Sequence, residues 1–366
     1  MFAKFTDEHK LKYTDAVYEM RLQFFCTNMK KADDLNAKQS AAGLPEAFGV
    51  SKYADRSDKE FQTLLGFRPS KDEASAAKRS KVHVRQPGEK PIKVKGKSAS
   101  PYAADATYVN WADQGVVTPV KNQGQCGSCW AHSAAEQIES QWALNGNAIW
   151  EFSPQQIASC TTTAAGCGGG QTTLAYEYLM GLPTTEGLSS GAFAPYVQSM
   201  WQQCTSASCT EACSAIDLSV LATEEMLTGY YATVTGYDYA TPPCTGKCNA
   251  QNITLFAQNV ATQGPASVCV DASTWNLYTG NGAVVAASTC ASAYYDLDHC
   301  VQLTGYNADA PNPYWIVRNS WSTDWGNAGA IYLQYDPASN SNPCGIADEA
   351  TFVTVTQGTA PVSDRK

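Results

Sequence analysis

The segment from Gln123 to Trp130, which reads Gln-Gly-Gln-Cys-Gly-Ser-Cys-Trp, constrains the fold of this chain more than any other feature. It places the thiol of Cys129 at a predicted helix start, close after a side-chain amide. A thiol attacks only as a thiolate, and a helix N-terminus supplies part of the positive field that stabilises one. An imidazole from elsewhere in the chain must supply the rest, so the fold has to bring a distant histidine to Cys129.

Of the four histidines, His299 is the one in strand-like apolar company, directly after Asp298 and before Cys300–Leu303. A second apolar segment follows it and contains Asn319. The predicted set is therefore Cys129 as nucleophile, His299 as base and Asn319 as the amide that orients the imidazole. Other interpretations are open: a Cys-x-x-Cys pair also suits a redox dithiol or half of a zinc site, and His299 also suits a core position.

The Cys-Gly-Ser-Cys-Trp signature, followed far downstream by Asn319-Ser320-Trp321, resembles papain-family cysteine peptidases of the cathepsin L type with the propeptide attached. The resemblance covers nearly the whole chain. It implies an α+β, papain-like fold of two lobes, helical on the left and β-barrel-like on the right, preceded by a helical propeptide. It also implies that Gln123 is the oxyanion donor beside the Cys129 N–H, and that Trp321 shields the hydrogen bond between Asn319 and His299.

The same resemblance implies a substrate cleft. The segment that ends Cys344 to Glu349 aligns so that Glu349 lies at the floor of the pocket for the side chain two residues before the cut. A carboxylate there would accept Arg as well as large apolar groups, because a guanidinium pairs bidentately with it. The alternative is a solvent-exposed carboxylate. Further predicted cleft residues are Gly169, Gly170, Gln171, Asp298, and the wall positions Cys269 and Cys300, which are either bridged or two buried thiols.

Fourteen cysteines and the sequon Asn252-Ile253-Thr254 point to an oxidising route, with glycosylation at Asn252 and residence in a lysosome, a vacuole or the extracellular space. A zinc site built from the extra cysteines is the alternative. By resemblance, the expected bridges are Cys126–Cys167, Cys160–Cys204 and Cys290–Cys344. The pairing of Cys209, Cys213, Cys244 and Cys248 is open, and Cys26 is left unpaired.

Charge is distributed unevenly. Residues 1–100 hold 20 Lys and Arg against 13 Asp and Glu, whereas residues 101–366 hold 5 against 21. A basic segment on an acidic body is held partly by carboxylates, which protonate as the pH falls. We therefore predict that acid loosens the N-terminal segment and triggers maturation, and that this segment is the chain's own intramolecular inhibitor.

Several classes of partner are disfavoured. The basic stretch has no stacking aromatics nearby, which argues against nucleic-acid binding. The chain has no run of about twenty apolar residues, so no membrane span is predicted. Residues 1–8 are too polar for a signal peptide, so we expect any leader to have been trimmed. We predict a monomer that acts on proteins and peptides, without a metal ion or an organic cofactor.

Three pieces are predicted along the chain: a helical inhibitory prodomain (1–67), a basic linker that crosses the cleft (68–104) and the peptidase domain (105–366). Apolar spacing predicts one amphipathic helix over residues 6 to about 40. It carries Arg21, Phe25 and Asn28 at the spacing of a cathepsin propeptide motif, but Val17 replaces the expected Glu. Glu19 or Asp34 is therefore the predicted partner of Arg21.

The peptidase domain is predicted to contain a helix from Ser128 or Cys129 through Trp142. One departure from the family lies on it, because His132 stands where an aromatic residue is usual. This histidine is either a core replacement or an added titrating group. β-branched and aromatic runs predict four strands, at Pro265–Val270, His299–Gly305, Tyr314–Arg318 and Ala330–Tyr335.

Overall fold

The computed structural model describes residues 1–86, 89, 100–183, 186–197, 213, 231–244, 246 and 251–357. Within these ranges, no helix has the length and apolar character needed to cross a membrane. The α-helices in these ranges are α1 (Phe2–Glu8), α2 (Asp15–Ala41), α3 (Asp58–Gln62), α4 (Glu73–Arg79), α5 (Cys129–Leu144), α6 (Pro154–Cys160), α7 (Thr172–Met180) and α8 (Ile253–Gln263).

Eight strands form one sheet in the described part of the chain. Its order is β2-β8-β3-β5-β6-β7-β4, and β1 pairs with β5 off this path. All pairs are antiparallel except β4 with β7. The strands are β1 (Tyr108–Asn110), β2 (Ala232–Tyr239), β3 (Ala266–Val270), β4 (Val284–Val285), β5 (His299–Asn307), β6 (Tyr314–Arg318), β7 (Ala330–Gln334) and β8 (Ala350–Gln357).

Helix α5 lies between two apolar cores. Every residue from Cys129 to Trp142 is buried, because α5 packs against α6 and α7 on one side and against β5 and β8 on the other. One core surrounds Trp130 in the helical lobe, and the second contains Trp315 and Trp321 in the sheet lobe. Strand β5 is buried at every position but its last, since α5 and α8 both contact it. The predicted α+β fold with N-terminal propeptide helices is confirmed.

The prosegment does not begin with one long helix, so the prediction of a single helix from residue 6 to about 40 is wrong. The chain breaks between α1 and α2, where Lys10 adopts a φ of 54°. This turn folds α1 back, so that the rings of Phe2 and Phe5 lie 5.2 and 5.3 Å from the ring of Phe25. Apolar residues stand at helical spacing on both sides of the break, which is why the spacing alone did not reveal it.

The partner of Arg21 is Glu60, so the predicted partners Glu19 and Asp34 are wrong. Two parallel hydrogen bonds of 2.8 Å join the guanidinium to the carboxylate. Glu60 also accepts from the N–H of Ser57 and so completes the capping box of α3. Although partial burial opposes the shift, these hydrogen bonds lower the pKa of Glu60 to about 2. The pair joins α2 to α3, which a long loop separates. Residue spacing within α2 therefore could not predict this partner.

The stretch 68–104, predicted as a basic linker, contains regular structure. Helix α4 lies within it, and the side chain of Asp72 caps its start by accepting from the N–H of Ser75 (2.7 Å). Beyond α4, Val84 forms a parallel bridge with Tyr239 at the end of β2. Residues 72–85 are therefore packed on the body of the protein.

Both partners are described for four disulfides, and one of these corrects a prediction. Cys160 pairs with Cys213, so the predicted Cys160–Cys204 bridge is wrong: Cys213 takes the place that the resemblance gave to Cys204. Cys244 is also disulfide-bonded, which removes two thiolates from the alternative zinc site. Cys204, Cys209 and Cys248 lie outside the described residues, and Cys26 is free and exposed. The remaining bridges are Cys126–Cys167, Cys269–Cys300 and Cys290–Cys344.

Replacing Arg21 with alanine should destabilise the prosegment by roughly 1–2 kcal/mol, because Glu60 would keep its charge without its partner. Lys31→Ala is the matched control, since the Lys31–Asp58 pair is mostly exposed and should be worth less than about 0.5 kcal/mol. The lowered pKa of Glu60 means that its contribution is fully present above about pH 4.5 and is lost only as the pH falls towards 2. Thermal unfolding at pH 7 and pH 5 should therefore show the same difference; equal losses in both variants would contradict the assignment.

Candidate active site

Cys129, the predicted nucleophile, is the first residue of α5 and is completely buried. Its Sγ accepts hydrogen bonds from two backbone N–H groups, that of Gly66 in the prosegment (3.3 Å) and that of Cys300 in β5 (3.5 Å). Because His299 directly precedes Cys300, the start of β5 carries the predicted base to the nucleophile. The two predicted residues, distant in sequence, therefore meet where α5 and β5 begin.

The imidazole of His299 is held in one orientation. Its Nε2 lies 2.8 Å from Oδ1 of Asn319, which follows β6, so the predicted contact between these two residues is present. The ring of Trp321 lies 4.7 Å from the imidazole ring and that of Trp275 lies 6.0 Å from it. His299 Nδ1 has no hydrogen-bond partner among the described residues, so it is the nitrogen that remains available to exchange a proton.

The side-chain amide of Gln123 points into the same site. Its Nε2 donates to the carbonyl of Leu64 in the prosegment (2.8 Å) and to that of Cys126 (2.7 Å). Its Oε1 accepts from the hydroxyl of Ser320 (2.6 Å), which fixes the amide nitrogen towards the cleft. Sequence reasoning missed this role of Ser320, although its place between Asn319 and Trp321 was a usable signal.

Backbone hydrogen bonds hold the prosegment along the cleft. The N–H of Phe67 donates to the carbonyl of Asp298 (2.8 Å), and that of Arg68 donates to the carbonyl of Gly170 (3.1 Å). Gly170 in turn donates to the carbonyl of Gly66 (2.9 Å). A peptide chain in extended contact with these groups is what a substrate cleft binds, and here the protein's own chain occupies it.

The stretch that passes the nucleophile is residues 64–68, so the crossing begins before the linker predicted at 68–104. The crossing needs a glycine, because a Cβ at Gly66 would lie only 1.7 Å from the carbonyl oxygen of Gly127. The backbone therefore approaches the nucleophile more closely than any residue with a side chain allows. Two other predicted cleft residues contact the same stretch: Gly169, where a Cβ would lie 2.5 Å from the Gly66 carbonyl oxygen, and Gln171, whose Nε2 donates to the Arg68 carbonyl (2.8 Å).

The predicted specificity pocket has an apolar part. The side chain of Phe67 is buried in one cluster with Cys269 and Cys300, the two wall positions, which form a disulfide. The ring of Phe67 meets the ring of Tyr294 edge-on at 6.2 Å. Of the two alternatives for the wall cysteines, the bridge is the one present.

Glu349, the predicted floor of this pocket, is fully buried, so the exposed alternative is wrong. Its Oε1 accepts from the hydroxyl of Tyr239 (3.0 Å), and its Oε2 lies 3.7 Å from the guanidinium of Arg79 in α4. The same guanidinium lies over the ring of Tyr294, 4.2 Å from the ring centre. Burial raises the pKa of Glu349 to about 7, although Arg79 opposes the shift. Sequence reasoning missed Arg79 as an occupant because it counted this residue as part of a linker.

The prosegment also changes the ionisation of the two central groups. Burial raises the pKa of the Cys129 thiol to about 11, and burial lowers the pKa of His299 to about 4 despite the hydrogen bond to Asn319. Between these values the covered site holds a neutral thiol and a neutral imidazole. Removing the prosegment restores water to both groups, which favours the thiolate and imidazolium forms.

His132 lies one turn along α5 from Cys129 and is buried. Its Nδ1 lies 3.1 Å from the carbonyl oxygen of Ser128, and its ring meets that of Tyr196 edge-on at 4.6 Å. Burial lowers the pKa of His132 to about 3, so the ring stays neutral across the ordinary pH range. These contacts favour the core replacement over the added titrating group.

In a comparison with known proteins, the N-terminal segment and the rest of the chain each match a known family. The family model described as papain family cysteine protease matches residues 106–354, and that of the cathepsin propeptide inhibitor domain matches residues 2–61. Digestive cysteine proteinase 3 of Homarus americanus is 29% identical over 355 residues, covering 96% of this chain and 93% of that protein. Cathepsin L-like proteinase of Phaedon cochleariae is 30% identical over 355 residues, covering 96% and 92%. Among solved structures, digestive procathepsin L2 proteinase from Tenebrio molitor larval midgut gives a TM-score of 0.69 at 27% identity, covering 96% and 98%.

Replacing Gly66 with alanine should expose the thiol of Cys129, because the added Cβ would force the prosegment away from the carbonyl of Gly127. We expect iodoacetamide to alkylate Cys129 in the full-length variant at neutral pH at least about 10-fold faster than in the parent. This ratio corresponds to a loss of about 1.4 kcal/mol in the free energy that keeps the prosegment over the thiol. Peptide mapping separates this reaction from that of the exposed Cys26. Gly43→Ala is the control, since a Cβ at this prosegment glycine meets no neighbour within 4 Å, and its φ of 73°, which Gly66 does not share, makes any backbone strain larger in the control. Equal protection in both variants would show that Gly66 does not seal the site.

Proposed function

Since the chain belongs to the papain family of cysteine proteases and carries a cathepsin-type inhibitor propeptide, we propose that it is an endopeptidase made as a zymogen. The Cys129 thiolate attacks the peptide carbonyl, and His299, oriented by Asn319, protonates the leaving amine and then activates water against the thioester. The Gln123 amide and the Cys129 N–H stabilise the oxyanion. The observation that carries this proposal is the hydrogen bond from Gln123 to a carbonyl of the chain that lies in the cleft.

The pocket two residues before the cut is proposed to accept both large apolar side chains and Arg. In the zymogen its apolar part holds Phe67, and its acidic end at Glu349 holds the guanidinium of Arg79. Tyr294 contacts both groups from the prosegment, so the pocket already accommodates an aromatic ring and a guanidinium. A buried carboxylate selects Arg over Lys, because the planar guanidinium matches its geometry.

Acid activation is proposed from the charges across the prosegment contact. Lys52 lies 2.6 Å from Asp324, and hydrogen bonding to Lys52 lowers the pKa of that carboxyl although burial opposes it. A lowered pKa means that the pair stabilises the closed form above the ordinary value of about 4 and is lost as the pH falls below it. Glu349 acts with the opposite sign, because its raised pKa favours the protonated form below about pH 7. The buried His299 adds to release in acid, because its pKa is lowered in the closed form and its protonation favours the open form. Release is therefore expected to be faster at pH 4, where the Asp324 pair is also lost, than at pH 6.

A secretory-pathway location, in a lysosome, a vacuole or the extracellular space, is supported by the disulfides and by the exposed Asn252, whose Oδ1 caps α8. Glycosylation at this sequon would lie on the protein surface. Protein and peptide substrates, and action as a monomer, complete the proposal.

The function is tested with two short fluorogenic peptides, carrying Arg or Phe two residues before the cut, after incubation at pH 4 or pH 6. We expect turnover that a thiol alkylator abolishes. It should appear together with loss of the prosegment mass, and sooner at pH 4 than at pH 6. Gln123→Ala should process slowly and turn over about 10²–10³-fold less, because one oxyanion donor is lost. Absence of turnover after the prosegment has been removed would contradict the proposed function.

Glu349→Gln should lower kcat/KM for the Arg peptide by about 10-fold or more, because a charge-assisted pair becomes a neutral hydrogen bond. The rate with the Phe peptide should change by less than about 3-fold, since the apolar walls are unaltered. Asp296→Asn is the control for long-range charge, because this carboxylate is exposed close to Tyr294. Equal losses of kcat/KM for both peptides would show that Glu349 does not recognise the side chain two residues before the cut.

A further inference from the structure

Beyond the cleft, the prosegment adds a strand to the edge of the sheet. The N–H of Arg85 donates to the carbonyl of Tyr239 (2.9 Å), and the N–H of Tyr239 donates to the carbonyl of His83 (2.9 Å). Strand β2, which ends at Tyr239, is the first strand in the sheet order and pairs with β8 on its other side. Residues 83–85 therefore fill the Tyr239 end of this edge, whose other end pairs with Leu188 of the peptidase domain at Ala232.

Ion pairs reinforce this contact, and in each pair the basic side chain belongs to the prosegment. The guanidinium of Arg85 lies 2.6 Å from Oδ2 of Asp238, and both side chains are mostly buried. Lys78 lies 2.7 Å from Glu177 on α7, which also accepts from the hydroxyl of Tyr237. Together with the Tyr239 backbone, Asp238 and Glu177 form a surface that we call the β2 edge site.

Removal of the prosegment leaves the β2 edge site open. The N–H and C=O of Tyr239 lose these partners, and an unpaired strand edge is a template for another extended chain. Asp238 loses its guanidinium partner, and a partly buried carboxylate binds a guanidinium through strong charge-assisted hydrogen bonds. A second copy of the peptidase domain suits this site poorly, because residues 101–366 carry 21 acidic against 5 basic residues and would repel it.

We propose that the β2 edge site is an exosite of the mature enzyme, which binds an extended, Arg- or Lys-bearing segment of a protein substrate outside the catalytic cleft. The proposal rests on the proposed function, since it assigns the site to substrate. Prosegment residues 83–85 show the bound form: two backbone hydrogen bonds to Tyr239 and one guanidinium on Asp238. The exosite favours unfolded basic proteins over acidic ones, whatever residue precedes the cut.

Binding is measured first, so that catalysis does not enter the result. The folded full chain is matured by acid or by trypsin in the basic linker, and Cys129 is then alkylated. The probe is a synthetic peptide with the sequence of residues 78–86 carrying Arg79→Ala, which removes its hold on the Glu349 pocket. Calorimetry should show binding that weakens about 10-fold with Asp238→Asn in the enzyme, the ratio for one charge-assisted hydrogen bond. The same peptide methylated on the backbone nitrogen of Arg85 should bind more weakly than the parent peptide, because it loses the bond to Tyr239.

Turnover measurements distinguish a failure of the exosite proposal from a failure of the proposed function. Asp238→Asn should raise KM for a basic unfolded protein by about 10-fold with unchanged kcat, and should leave its succinylated form and the short fluorogenic peptides unaffected. Asp309→Asn, an exposed acid on the β5–β6 loop, is the charge-matched control. Two results would overturn the exosite proposal. One is normal short-peptide turnover with no change in KM for the protein substrate, and the other is a probe peptide that binds the Asp238→Asn enzyme as tightly as the parent enzyme. Loss of short-peptide turnover in the parent enzyme would instead overturn the proposed function, and the calorimetry would still decide the exosite.

Discussion

The contact on which this zymogen depends is the approach of the Gly66 backbone to the thiol of Cys129. The N–H of Gly66 lies 3.3 Å from Sγ, and the absence of a side chain allows the chain to pass the carbonyl of Gly127. Covering the thiol also removes water from it and from His299, which shifts both groups to their neutral forms. Steric closure and loss of the thiolate are therefore one physical event.

The fold of the prosegment determines where Gly66 lies. The Arg21–Glu60 pair fixes α3 against α2, and the chain enters the cleft directly after α3. The rings of Tyr53 and Phe61 pack edge-on against Trp321, at 5.6 and 5.3 Å. Because Trp321 lies against His299, the prosegment and the sheet lobe share one apolar core over the site. Release of the prosegment exposes this aromatic surface, which makes closure favourable in water.

Sequence alone predicted the parts of the site whose chemistry is local. The signature around Cys129, the apolar run after His299 and the spacing of α5 each depend on neighbouring residues, so they could be interpreted without the fold. The partner of Arg21 and the bridge of Cys160 depend on which distant segments meet, which residue spacing does not encode. The break at Lys10 was hidden for a different reason: helical spacing continues on both sides of it.

The prosegment meets the chemical demands of the cleft without offering a bond to attack. It gives a carbonyl to Gln123, a ring to the apolar pocket and a guanidinium to Glu349. At the thiol, however, it presents the amide nitrogen of Gly66 as a hydrogen-bond donor. A nucleophile needs a carbonyl carbon within about 3–3.5 Å and in line with its lone pair. Because the prosegment contacts Sγ with an N–H, the same groups that would bind substrate here hold a chain in an unreactive register.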